Sequence, residues 1–103
     1  MEKEHFFFYC SKLENVSFGN ESKLTTINNS AFQCCDELKS ILIPSSVKSI
    51  GKAAFYFCSK LENVSFEKES KLTTINNSAF DSCEKLKSIS IPPSVESIGK
   101  AAF

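Results

Sequence analysis

The chain has 103 residues, a length that suits one domain burying roughly two thirds of its surface. Its 12 basic and 12 acidic residues cancel, so it lacks the basic excess that nucleic acid or an anionic membrane surface would require. No apolar run approaches the roughly 20 residues of a membrane helix, which leaves no case for membrane insertion.

Residues 1–12, MEKEHFFFYCSK, place charge on both sides of a short aromatic cluster. A secretory signal needs a longer apolar stretch and a small-residue cleavage site, so no signal peptide is expected here, nor an anchor. From there the chain repeats itself. Segment 13–32, LENVSFGNESKLTTINNSAF, returns at 61–80 as LENVSFEKESKLTTINNSAF. Segment 38–55, LKSILIPSSVKSIGKAAF, returns at 86–103 as LKSISIPPSVESIGKAAF. Phe7, Phe32, Phe55, Phe80 and Phe103 stand alternately 25 and 23 residues apart, so the true period is a 48-residue pair of unlike units. The expected organisation is one domain, 1–103. It consists of a partial unit 1–12, units 13–37, 38–60 and 61–85, and a partial unit 86–103.

Each unit has three parts. The first pairs a leucine with two alternating apolar residues, as in Leu38, Ile41 and Ile43 or Leu13, Val16 and Phe18. The alternation predicts a short strand with one face inward. Pro44 and Pro92 end it, since proline gives no N–H to a ladder. The second part, Val47 with Ile50 or Leu24 with Ile27, predicts a shorter strand on the opposite side of a coil. Gly51 and Gly99 then alternate with Asn28 and Asn76 at one slot. Both residue types tolerate positive φ, so a left-handed turn is expected there. The third part, such as Ala53-Ala54-Phe55-Tyr56-Phe57-Cys58, predicts one helical or 3-10 turn with Phe and Cys inward. The two extra residues of the long units fall in 19–23 and 67–71, a loop expected to bulge from every other coil.

One unit cannot bury its own apolar residues, whereas stacked units can. The fold class expected is therefore α/β and β-rich: a right-handed solenoid with parallel first strands about 4.8 Å apart and core ladders of Leu, Ile or Val, Phe and Cys. A period in the twenties lies in the leucine-rich range of repeat architectures.

The pattern of Leu38, Ile41, Ile43, Pro44, Ser46, Val47, Ile50, Gly51, Ala54, Phe55 and Cys58 resembles the BspA-type leucine-rich repeat. The match runs from about Phe7 to Phe103. The resemblance implies a surface or secreted protein of bacteria or mucosal protist parasites, with a role in adhesion and protein binding. The partner it implies is a protein or glycan, such as a host surface or matrix component.

The exposed face of the first strands is the candidate binding surface. It should carry Glu14, Asn15 and Ser17, then Lys39, Ser40 and Leu42, then Glu62, Asn63 and Ser65, then Lys87, Ser88 and Ser90. Across the strands, Glu14, Lys39, Glu62 and Lys87 alternate in sign and can pair, each pair contributing a few tenths of a kcal/mol. Asn15, Ser40, Asn63 and Ser88 can hydrogen-bond laterally. These columns can equally serve only to solubilise the sheet and fix its register. No aromatic lies on this face, which weighs against sugar stacking there.

Cys10, Cys35, Cys58 and Cys83 recur once per unit, and Cys34 is extra. Such spacing differs from zinc ligand pairs and from scattered disulfide frameworks, so a buried structural slot is expected, with Cys34 outward. His5 is the single histidine, and neither a catalytic triad nor a phosphate loop is present. No enzyme activity and no cofactor are expected. Five N-x-S sequons start at Asn15, Asn20, Asn28, Asn63 and Asn76. Repetition copies any such triplet, and two of these asparagines have a turn role. The alternative to an adhesion module is a structural piece of a longer surface protein that self-associates end to end.

Overall fold

The computed structural model describes residues 14–18 and 22–103. Within them the chain winds into a coil with two parallel sheets. The first sheet contains β1 (Asn15–Val16), β3 (Ser40–Ile43) and β5 (Asn63–Phe66). The second contains β2 (Thr26–Ile27), β4 (Ser49–Ile50), β6 (Thr74–Ile75) and β7 (Ser97–Ile98), in the order β2-β4-β6-β7. Like residues stack on like. Val16 pairs with Ile41 and Ile41 with Val64, while Ile27, Ile50, Ile75 and Ile98 form a second column.

The sequence repeat produces the core directly. Leu38, Ile41, Ile43, Val47, Ile50, Ala54, Phe55 and Cys58 of one coil are all buried, as are Leu61, Val64, Leu72, Ile75, Ala79, Phe80 and Cys83 of the next. The phenylalanines form one continuous stack. Ring centroids lie 5.1 Å apart for Phe32 and Phe55, 5.0 Å for Phe55 and Phe80, and 5.4 Å for Phe80 and Phe103, with planes within 5° of parallel. A coil spacing near 4.8 Å leaves like rings little choice but this offset stack.

The third side is built from turns, and no described residue lies in a helix. Its N–H groups alternate in direction. Those of Ala53, Phe55 and Phe57 donate to Asn77, Ala79 and Asp81 of the next coil at 3.0, 2.7 and 2.9 Å. Those of Ala54, Tyr56 and Cys58 close turns on Gly51, Ala53 and Phe55 at 3.2, 3.1 and 3.3 Å. A helix would consume every N–H within the coil and leave none for the neighbour. The expected helical turn is thus replaced by linked turns that tie coils together. In the sheets the N–H groups run the other way, as in Gly51 N–H to Ile27 O at 2.7 Å and Glu62 N–H to Lys39 O at 2.9 Å.

Left-handed residues occur, though not where the Gly and Asn exchange predicts. Neither Gly51 nor Gly99 has positive φ, and Asn28 and Asn76 are also absent from that region. The left-handed slots are Ser30, Ala53, Ser78 and Ala101 two residues on, and Cys34, Phe57 and Ser82 just before the core cysteine. Glu69, in the long-unit loop, has φ of 61°. The glycine is explained by crowding instead. A Cβ on Gly51 would lie 2.6 Å from the Asn29 nitrogen and 2.6 Å from Asn29 Oδ1 in the coil beneath. Asn29 Oδ1 accepts the Lys52 N–H at 2.8 Å, and Asn77 Oδ1 accepts the Lys100 N–H in the same way. One coil later Asn76 sits over Gly51, where there is room, and its Nδ2 donates to Ile50 O at 2.9 Å. The unlike units therefore interlock, because a side chain on one requires its absence on the next.

Segment 86–91 is expected as a fourth first strand, yet it does not pair with β5. Beside the paired strands, Ser45 reaches the following coil. Its N–H donates to Glu67 Oε1 at 2.8 Å and its carbonyl accepts from Lys71 at 3.0 Å, which clasps two coils together beside β3 and β5. Ile89 and Ile91, on this unpaired segment, are only half-buried.

Candidate functional site

The outward positions of the first sheet carry the residues expected there. Glu14, Asn15, Ser17, Lys39, Glu62, Asn63 and Ser65 are exposed, Ser40 is half-buried, and Leu42 is 44% exposed at the sheet centre. Strand pleating accounts for Asn15, Ser17, Ser40, Leu42, Asn63 and Ser65, since the residues between them point into the core. Register places Asn15 beside Ser40, Ser40 beside Asn63, and Leu42 beside Ser65. Ser40 Oγ donates to Asn15 Oδ1 at 2.7 Å, so one lateral bond of the expected kind forms. The charge column behaves differently. Among the described residues the one salt bridge joins Lys60 to Glu37 at 3.2 Å, and Glu14, Lys39, Glu62 and Lys87 form none with each other. Exposed pairs contribute little energy, and four water-facing side chains gain little by ordering themselves.

Lys87, Ser88 and Ser90 are exposed, but they lie on the unpaired segment. Its separation from β5 opens a cleft. One part has a volume of about 630 Å³, with Asn63, Ser65, Ser88 and Ser90 along its walls and Phe66, Ile89 and Ile91 beneath. A neighbouring hollow of about 530 Å³ is lined by Glu62, Asn63, Glu84, Lys85, Lys87 and Ser88. Six of the twelve expected face residues thus border these two adjoining hollows. The other six, Glu14, Asn15, Ser17, Lys39, Ser40 and Leu42, lie on the closed part of the sheet.

The cysteine column is internal. Cys35, Cys58 and Cys83 are buried and unbridged. Cys58 Sγ donates to Phe32 O, and Cys83 Sγ to Phe55 O, each at 3.1 Å. Each thiol thereby gives a carbonyl of the coil beneath a second donor beside its backbone N–H, which alanine could not. The hydrogen bond with Cys83 and burial together push the Cys58 thiol well above its ordinary range. Cys34 is half-buried rather than fully outward. Cys10 and His5 fall outside the described residues. No described cluster of three or more His, Cys, Asp or Glu is arranged to hold a metal ion, and no described helix is long and apolar enough to cross a membrane.

Inspection of the strands alone overlooks one surface feature. Tyr56 and Phe57 sit side by side on the turn side, 5.9 Å between ring centroids, with Phe57 48% exposed. The signal in the sequence is the contrast at aligned slots, which hold Gln33-Cys34 in the coil before and Asp81-Ser82 in the coil after.

Comparison with known proteins agrees with this architecture. Residues 3–103 match the family model described as BspA type leucine rich repeat region, in six copies. The pneumococcal vaccine antigen PcpA has a crystal structure 30% identical to the chain, with TM-score 0.80, covering 90% of this chain and 26% of that one. The leucine rich repeat protein of T. pallidum is 30% identical with TM-score 0.79, covering 89% of this chain and 44% of that one. A leucine rich cell surface protein of Faecalibacterium prausnitzii is 36% identical with TM-score 0.77, covering 86% of this chain and 22% of that one. The chain therefore spans under half the length of each of these three relatives. Curated proteins include no match. With its repeat, its coil and these relatives in agreement, the chain belongs to the BspA-type leucine-rich-repeat family.

Proposed function

We propose that the chain is a non-catalytic interaction module of a surface or secreted protein, and that it binds a protein or glycan partner through the first-strand face. Leucine-rich repeats are a protein-interaction fold family, and two of the relatives are named as a vaccine antigen and a cell surface protein. The observation that carries the reading is the groove between β5 and segment 86–91. Glu62, Asn63, Ser65, Lys87, Ser88 and Ser90 line its two adjoining hollows. Its apolar floor and hydrogen-bonding rim suit an extended polar chain, since a few placed polar groups over an apolar base are what orient a ligand.

The test is surface plasmon resonance against immobilised host matrix proteins and epithelial glycans. Ser65→Arg, which fills the cleft, and the double reversal Lys39→Glu with Lys87→Glu should each weaken binding at least about tenfold. Unchanged binding in all variants would exclude this face.

A second reading rests on the end of the stack. Ile98 and Phe103 are 51% and 52% exposed, and Leu86, Ile89, Ile91 and Val95 are half-buried beside them. This face continues the core columns and suits end-to-end association through a structural role. Sedimentation velocity over a wide concentration range tests it. A strict monomer throughout would refute it, and Phe103→Ser should weaken any association seen.

A further inference from the structure

Phe57 combines two features that do not ordinarily coexist. It has φ of 62°, and nearly half of its surface is exposed. The left-handed region is rare for a bulky side chain. Other coils fill the same left-handed slot with Cys34 and Ser82. Phe57 therefore adds an exposed apolar ring at a position where the fold asks for something small.

Its surroundings define what the ring could meet. Tyr56 lies beside it at 5.9 Å with the two planes tilted by 34°, which makes a shallow angled platform. The backbone stacks Cys34 under this pair and Asp81 over it, through Cys34 N–H to Tyr56 O and Phe57 N–H to Asp81 O, both 2.9 Å. Gln33 thus falls one coil below and Asp81 with Ser82 one coil above, each about 4.8 Å away along the stack. Ser82 Oγ is bonded to Asp81 Oδ1 at 3.2 Å, which leaves the second carboxylate oxygen for another donor.

The patch is too small for the core of a protein interface, which takes about 800 Å² from each partner. Two rings flanked on both sides by hydrogen-bonding groups match one sugar ring instead. Its C–H face would lie on the aromatics, and its hydroxyls would meet Gln33, Asp81 and Ser82. The Asp81 carboxylate selects against anionic sugars. We propose that Tyr56 and Phe57 form a stacking platform for one ring of a neutral saccharide, with Gln33, Asp81 and Ser82 bonding its hydroxyls. This site lies on the turn side and is separate from the first-strand face.

The experiment is isothermal titration calorimetry with maltotetraose, chitotetraose, lacto-N-neotetraose and a sialylated control, alongside urea unfolding of each variant. The wild-type chain should bind at least one neutral sugar in the millimolar range or better and ignore the sialylated one. Phe57→Gly should weaken that binding at least about tenfold. The same variant should fold as stably as wild type or more so, because glycine suits the left-handed slot. Lys48→Ser, exposed beside β4 and away from both faces, should bind the sugar as wild type does. Three results would overturn the proposal. They are no binding of any neutral sugar, binding unaffected by Phe57→Gly, or a Phe57→Gly chain that is markedly less stable, which would make the ring a structural element.

Discussion

Gly51→Ala separates two explanations of why a glycine stands at that slot. If conformation were the reason, the native φ would be positive, and it is not. At an ordinary negative φ, replacing glycine by alanine stabilises a fold by about 0.4–1 kcal/mol through the unfolded chain. Crowding predicts the opposite sign. The added methyl would sit 2.6 Å from the Asn29 nitrogen, well inside the 3.4 Å at which ordinary contact begins. The coils cannot separate by that much without weakening the neighbouring Gly51 N–H to Ile27 O bond at 2.7 Å. Overpacking of this kind costs about 1–3 kcal/mol. Displacing the Asn29 carboxamide from the Lys52 N–H adds about 1 kcal/mol. The expected loss is about 2–4 kcal/mol, read as a lower midpoint in urea followed by circular dichroism. Ala53→Gly is the matched control. Its φ is 54°, so relief of left-handed strain should offset glycine's entropy and leave the midpoint equal or higher. A Gly51→Ala midpoint at or above wild type would refute the crowding argument.

Phe55→Ala should cost about 3–5 kcal/mol, since it opens the interior of a four-ring stack, and calorimetric melting would show it. Native-state alkylation followed by mass spectrometry should label Cys34 well before the buried Cys35, Cys58 and Cys83; labelling of all four at one rate would contradict the column. The Cys58 thiol, held up in the folded state, gives a definite pH sign. Its contribution is complete below the unfolded thiol value of about 8.5 and is lost above it, by at most about 1.4 kcal/mol per pH unit. Urea midpoints at pH 7 and pH 10 should therefore differ less in Cys58→Ala than in wild type.

The sequence by itself determined the coil, because only stacking can bury residues that recur at one place in every unit. Leu38 over Leu61, Ile50 over Ile75 and Phe55 over Phe80 follow from the repeat with no knowledge of the backbone path. The outward face was legible for the same reason, since strand alternation assigns Asn15, Ser17, Ser40, Leu42, Asn63 and Ser65 to water once Val16, Ile41 and Val64 between them are assigned to the core. Contacts between unlike coils were not legible. The clash of a Gly51 Cβ with Asn29, the clasp of Ser45 on Glu67 and the alternating N–H directions from Ala53 to Cys58 each involve atoms 22 or more residues apart. Residue preferences report on local φ and ψ, and so they misplaced the left-handed slots by two residues. They also gave no sign that segment 86–91 would stand away from β5, because its inward Leu86, Ile89 and Ile91 match Leu38, Ile41 and Ile43. Only the tertiary structure decided these points, since each depends on which backbone lies above and below, and a repeat specifies the kind of neighbour without its exact fit.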